Sequence, residues 1–216
     1  MPLTQPSETP ERNIAMKTSI STLIIASAIA LTPAVHAERS TPVPPPVPDA
    51  IQVPPGFTPY LAGHAIGTQG YVCVAVGSVF GWTAFGPQAT LFDEEGQQIL
   101  THFLSPTPYS LLPNPTWQHS RDSSLVWAQV SQSSSDANYV APGAIPWLLL
   151  EAVVVGDGPT WGDKLTVTRL IQRLNTVGGM APSTGCTGPG DIKKRTLVPY
   201  EADYFFYKEI NQHYRD

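Results

Sequence analysis

Apolar and polar positions along the chain fall into short runs, broken by glycine, proline and small polar clusters. Tyr71–Val76, Phe80–Phe85 and Ala89–Phe92 are apolar or aromatic, and Gly77 and Gly86-Pro87 separate them. Each run predicts a short strand. Asp93-Glu94-Glu95-Gly96 has the composition of a turn, since its glycine takes positive φ without steric cost. Gln97–Phe103 follows it, so this run is expected to pair with Ala89–Phe92 as a hairpin. Ser124–Ser131 alternates, with Leu125, Trp127 and Gln129 on one side and Val126, Ala128 and Val130 on the other. Ile145–Val155 is nearly continuous in apolar residues, which predicts a strand buried on both faces. Lys164–Leu174 sets Thr166 and Thr168 against Leu165, Val167 and Arg169, and its β-branched threonines favour strand over helix. Tyr200–Tyr207 puts Tyr200, Ala202, Tyr204 and Phe206 on one face. No segment sustains a 3.6-residue period with caps. The pattern predicts an all-β, single-domain antiparallel β-sandwich or barrel of many short strands.

Ahead of this domain the chain reads differently. From Met16 comes a lysine, an apolar run from Ile20 to Leu31, and small residues at Val35 and Ala37. That is the pattern of a cleaved secretory signal over 16–37, with the exported chain starting at Glu38. The apolar run is too short for a spanning helix, which needs about 20 residues. Residues 1–15 read as an upstream start-site artefact. Residues 38–50 hold Pro42, Pro44, Pro45, Pro46 and Pro48, which predicts a stiff extended spacer. The β domain then runs over 51–208 and a polar tail over 209–216.

Composition narrows the function classes. The 216 residues carry 12 basic and 17 acidic side chains, for a net charge of −5. Only 13% are charged, about half the usual share of roughly 25%. Nucleic acid and anionic membranes are poor partners for such a chain, because phosphate binding needs a concentrated basic face. An exported protein resides in an oxidising periplasmic or extracellular space, where its two cysteines, Cys73 and Cys186, are expected to pair. The pair would tie the glycine-rich segment 178–190 to an early core strand.

Several ordered motifs then carry a resemblance. They are Gly67-Thr68-Gln69 with Tyr71 and Cys73, the run Phe85-Gly86-Pro87-Gln88-Ala89-Thr90-Leu91, and Pro115-Thr116-Trp117. Ile145-Pro146-Trp147-Leu148-Leu149-Leu150, Ile171-Gln172-Arg173, Asn175-Thr176, Gly178-Gly179 and Val198-Pro199-Tyr200 through Tyr204 continue it. From about Ile51 to Lys208 the chain resembles the domain of unknown function 3455, a secreted family of bacteria and fungi. The resemblance implies export but brings no established chemistry. One departure is Ser105–Asn114, which reads as an extended loop between motifs that stand closer together in the family.

Some fungal members carry a malate dehydrogenase label, and the residues speak against it. Gly156-Asp157-Gly158 and Gly162 follow an apolar strand, but Pro159 and Trp161 interrupt them and a strand pattern succeeds them. A dinucleotide site needs a tight glycine turn opening a helix. A hairpin turn is the better reading, and no cofactor is predicted.

The remaining chemistry lies in histidines, tryptophans and one acid. His64, His102 and His119, with Asp122, sit near strand ends, and converging at one rim they would suit zinc or copper. Trp117 and Trp161 lie beside turns, where a ring could stack on a flat ligand. Glu151 ends an apolar run, and Arg173 is the expected partner of that buried charge. If the two stand apart and Glu151 lines a cavity, it becomes a general-acid candidate. The sequence thus predicts a ligand- or surface-binding module, with a metal-assisted histidine enzyme and a structural envelope protein as alternatives.

Overall fold

Strand-forming runs of alternating character build eight antiparallel strands, β1 (Phe57–Val76), β2 (Val79–Phe92), β3 (Gln98–Thr107), β4 (Ser110–His119), β5 (Leu125–Ser134), β6 (Trp147–Gly156), β7 (Leu170–Gly178) and β8 (Arg195–Glu209). Each pairs with its sequence neighbour, and β8 returns to β1, closing an up-and-down barrel. The fold is described here for residues 41–210 of the computed structural model. The expected signal over 16–37, residues 1–15 and His213 lie outside the described residues.

Alternate residues from all eight strands meet in the lumen. Ala65, Leu91, Leu100, Trp117, Val126, Leu150, Ile171, Ala202, Tyr204 and Phe206 are among them. Closure removes the sheet edges that an open all-β chain would have to protect. The chain end carrying the β1–β2, β3–β4, β5–β6 and β7–β8 connections is called the upper end below. Leu165, fully buried in the lower β6–β7 connection, joins the lumen cluster.

A second apolar layer covers the outside of one wall. Ile51, Trp147, Leu149, Leu170, Leu174, Phe205 and Tyr207 cluster there with Val47 and Val53 packed against them. The Gln172 amide donates to the Ile51 carbonyl at 2.7 Å, and the Tyr207 hydroxyl donates to the Gln172 side-chain oxygen. The described end of the proline-rich segment is therefore part of the domain rather than a spacer held away from it. This layer explains the double burial of upper β6, whereas Glu151 and Val153, lower on the same strand, face solvent.

Three local expectations differ from what forms. Gly86-Pro87 does not end a strand. β2 runs through it with a bulge at Phe85, because Gly70 pairs with Gly86 while Tyr71 pairs with Ala84. Before Ala89, β2 has no β3 partner, so the missing Pro87 N–H breaks no β2–β3 ladder. Ser105–Asn114 is no loop: Ser105 pairs with Asn114 and Pro106 with Pro113 in the β3–β4 hairpin. Its prolines disguise the strand pattern. Residues 164–169 turn instead of extending, since the Lys164 N–H goes to Asp122, the Leu165 N–H to Ser124 and the Thr166 N–H to the Asp163 carbonyl. Side-chain acceptors 41 and 42 residues away in sequence override the β-propensity of the threonines.

The bridge between Cys73 and Cys186 is formed, with Cα atoms 5.5 Å apart. It holds the long β7–β8 connection against the top of β1, where Cys73 also exchanges backbone bonds with Lys193 and Lys194.

Candidate functional site

Two seams of the barrel wall, β2–β3 and β4–β5, are laddered only toward the lower end. β2 and β3 pair only between Ala89–Phe92 and Gln98–His102. β4 and β5 pair only between Thr116–Gln118 and Leu125–Trp127. Above those rows neither seam is bridged by ladder hydrogen bonds.

Arg173 stands at the centre of this region. Its register partners are Leu148 and Tyr204, and Tyr204 belongs to the lumen cluster, so the guanidinium lies on the inner face. Nη2 donates to the Pro146 carbonyl at 2.8 Å, while Nε is buried without a partner. Among the described residues no carboxylate lies within ion-pair distance of it. Its charge reaches the Tyr71, Tyr200 and Tyr204 hydroxyls and His102. Tyr200 and Tyr204 approach each other at 3.4 Å, and Tyr71 donates to the Gly179 carbonyl at 2.6 Å. Burial pushes all three phenols up, so they stay protonated donors.

His102 and Trp117 form the floor. Their rings stack at 4.1 Å between centroids, and Tyr204 meets both edge-on. The His102 Nδ1–H donates to the Thr116 carbonyl at 2.9 Å, which leaves Nε2 as a bare acceptor in the neutral ring. Burial drives the His102 pKa down to about 3, against the raising effect of that bond. Trp117 is fully buried and its Nε1–H has no partner. The upper lumen therefore holds a fixed positive charge and unpaired donors. That is the chemistry of an anion receptor.

The structure sends the three candidate histidines to three places and keeps only His119 beside Asp122. His64 points outward, its Nδ1–H donating to Asp203 at 2.7 Å while Asn175 donates to the other Asp203 oxygen. His102 is inside the barrel. His119 is at the lower end, where its Nδ1–H donates to Asp122 at 2.9 Å. Among the described residues no group of three or more His, Cys, Asp or Glu side chains is placed to hold a metal ion, so the zinc or copper expectation finds no ligand set there. Strand-end position alone left open which rim, and which face, each ring would occupy.

Asp122 has a structural task instead. It accepts from the Ser124 N–H and hydroxyl and from the Lys164 N–H. Burial alone would raise its pKa, but these donors and His119 outweigh it and bring the value down to about 2. Gly158 and Gly162 press against Asp122 so closely that a Cβ at either would collide with it. These glycines serve loop closure around a carboxylate.

Glu151 and Arg173 do not pair. Glu151 faces Gln129 and Leu170 on the outer surface, and Arg173 sits three rows away on the inner one. Nor does Glu151 line the lumen. Trp117 cannot stack on a ligand at the surface, being wholly inside, whereas Trp161 is 87% exposed at positive φ in the lower loop. Tyr71 and Tyr200 escaped sequence reasoning as site residues. Tyr71 stood out only within an apolar run and Tyr200 only on one face of a strand.

These features define a class: a closed eight-stranded up-and-down β-barrel, disulfide-bridged, with a cationic and donor-rich upper lumen. Its family follows from sequence comparison. The profile of the family described as Protein of unknown function (DUF3455) matches residues 54–208, and the chain belongs to that family. Neither the curated proteins nor the solved structures contain a match to it. The bridge is consistent with an extracellular location, and no helix among the described residues is long and apolar enough to cross a membrane.

Proposed function

We propose that the protein is an exported binding module that takes a small anionic ligand, a carboxylate by preference, in the upper mouth of its barrel. The mouths of β-barrels are common ligand sites, and some eight-stranded barrels hold one small ligand. The observation that supports this reading is Arg173, an inward guanidinium with a buried, unpaired Nε and no acidic partner among the described residues. A buried donor left without an acceptor on this partly buried guanidinium gains by meeting one. A planar carboxylate fits its fork, and the tyrosine hydroxyls supply further donors. Export over 16–37 remains part of the proposal.

The test is ligand-dependent stability. Purified protein is titrated with short-chain and aromatic monocarboxylates, inorganic phosphate and sulfate, following Tm and tryptophan fluorescence. A carboxylate at about 100 times its Kd should add about 2.7 kcal/mol of stability, and Arg173→Gln should abolish the shift. If no anion shifts the wild type, or the variant responds equally, the reading fails.

A further inference from the structure

The two hairpins that rise past the end of the laddered wall carry apolar side chains with nothing packed on them. At the β1–β2 tip Val76 and Val79 are 62% and 63% exposed, and on the β3–β4 hairpin Tyr109, Leu111 and Leu112 reach 86%, 93% and 74%. Both tips lie at the upper end. Below the tips the Leu104 side chain of β3 packs onto Gly86 of β2, so closely that no Cβ would fit there. Scattered exposed leucines need no explanation, but five such residues on two tips at one end of the barrel do.

Charge narrows the partner. No Asp, Glu, Lys or Arg occurs from Gly70 to Phe92 or from Gln97 to Ser120. The nearby basic run is otherwise engaged in part: Lys194 pairs with Asp191 at 2.6 Å, and Arg195 lies over the Phe85 ring. A protein interface ordinarily surrounds its apolar centre with a polar, pairing rim. Two charge-free, convex tips with a tyrosine suit a soft apolar phase bounded by neutral headgroups. Strand-to-strand pairing with a second copy is disfavoured as well, since Pro106, Pro113 and Pro115 remove N–H donors from that hairpin.

We infer that the upper rim docks the domain onto a lipid surface, with Leu111, Leu112 and Tyr109 entering the headgroup–acyl boundary of a zwitterionic bilayer. The contact is apolar, so it resists salt. It uses residues separate from Arg173 and stands whether or not the barrel takes an anion.

Flotation of the folded, bridged protein with phosphatidylcholine vesicles tests it. The wild type should float with the vesicles at low ionic strength and equally at about 0.5 M salt, where exposed charges are screened. Leu111→Ser with Leu112→Ser should lower partitioning at least about tenfold. The same double variant should keep the wild-type Tm, because neither side chain touches the core. Arg173→Gln should float like the wild type. A wild type that stays with the buffer, a double variant that floats unchanged, or binding that salt removes would each overturn the inference. So would a self-association abolished by the double variant in protein that ignores vesicles.

Discussion

His102 lies flat on Trp117 in the middle of the barrel, their planes within 5° and their centroids 4.1 Å apart. The stack is closed on one side by the Thr116 carbonyl, which binds the ring N–H, and on another by Tyr204. A charged imidazole there would lose its water and face Arg173, so the folded protein holds His102 neutral.

The consequence is a pH dependence with a definite sign. His102 titrates near 6.5 when unfolded and near 3 when folded, so between those values the unfolded state binds the extra proton. The stability tied to His102 is whole above about pH 6.5 and is lost as pH falls toward 3, at about 1.4 kcal/mol per pH unit. Denaturant midpoints measured between these limits should show this slope, and His102→Gln should flatten it.

Asp122 should be the most sensitive acid at the lower end. Replacing it by alanine strands donors on Ser124 and Lys164, and we expect a loss of about 2–3 kcal/mol. Because its folded pKa is lowered to about 2, its contribution is present above about pH 4 and disappears as pH falls toward 2. Urea unfolding of Asp122→Ala and Asp122→Asn at neutral pH should rank the alanine as more damaging.

Reduction should uncouple the β7–β8 connection from β1. The bridge spans 113 residues, for which chain entropy sets an upper figure of about 4–5 kcal/mol. A Cys73→Ser, Cys186→Ser protein should lose about 2–5 kcal/mol by denaturant titration. Unreduced wild-type protein should show no alkylation after unfolding.

Gly67 marks the closest approach of β1 to β2. A Cβ there would stand 2.6 Å from the Ala89 Cα and still nearer the Gln88 carbonyl. Gly67→Ala should therefore cost more than about 2 kcal/mol, as a forced shift of paired backbone does. Trp161→Ala, by contrast, removes a ring that touches little and should stay within about 0.5 kcal/mol of wild type. Thermal melts of the two variants make the comparison.

Local pattern by itself determined the all-β class, the β2–β3 hairpin around Asp93–Gly96, the inward face of β8 and the two cysteines that pair. Each rests on period-2 alternation, turn chemistry or the scarcity of thiols, all of which act over a few residues or through composition. Pattern misplaced the start of β7 and hid the β3–β4 hairpin, because the Asp122 carboxylate and the Ser124 hydroxyl, distant in sequence, captured the 164 and 165 amides and prolines sat where no neighbouring ladder needed their N–H groups. The site was less legible still. That a histidine stands near a strand end is local, but whether its ring faces the lumen, the outer wall or the lower loops depends on register and closure, and these sent His64, His102 and His119 to three different places. Arg173 shows the same division: alternation could set it on a strand, yet only the barrel's closure put Leu148 and Tyr204 beside it and Glu151 on the opposite face, leaving its charge unmatched.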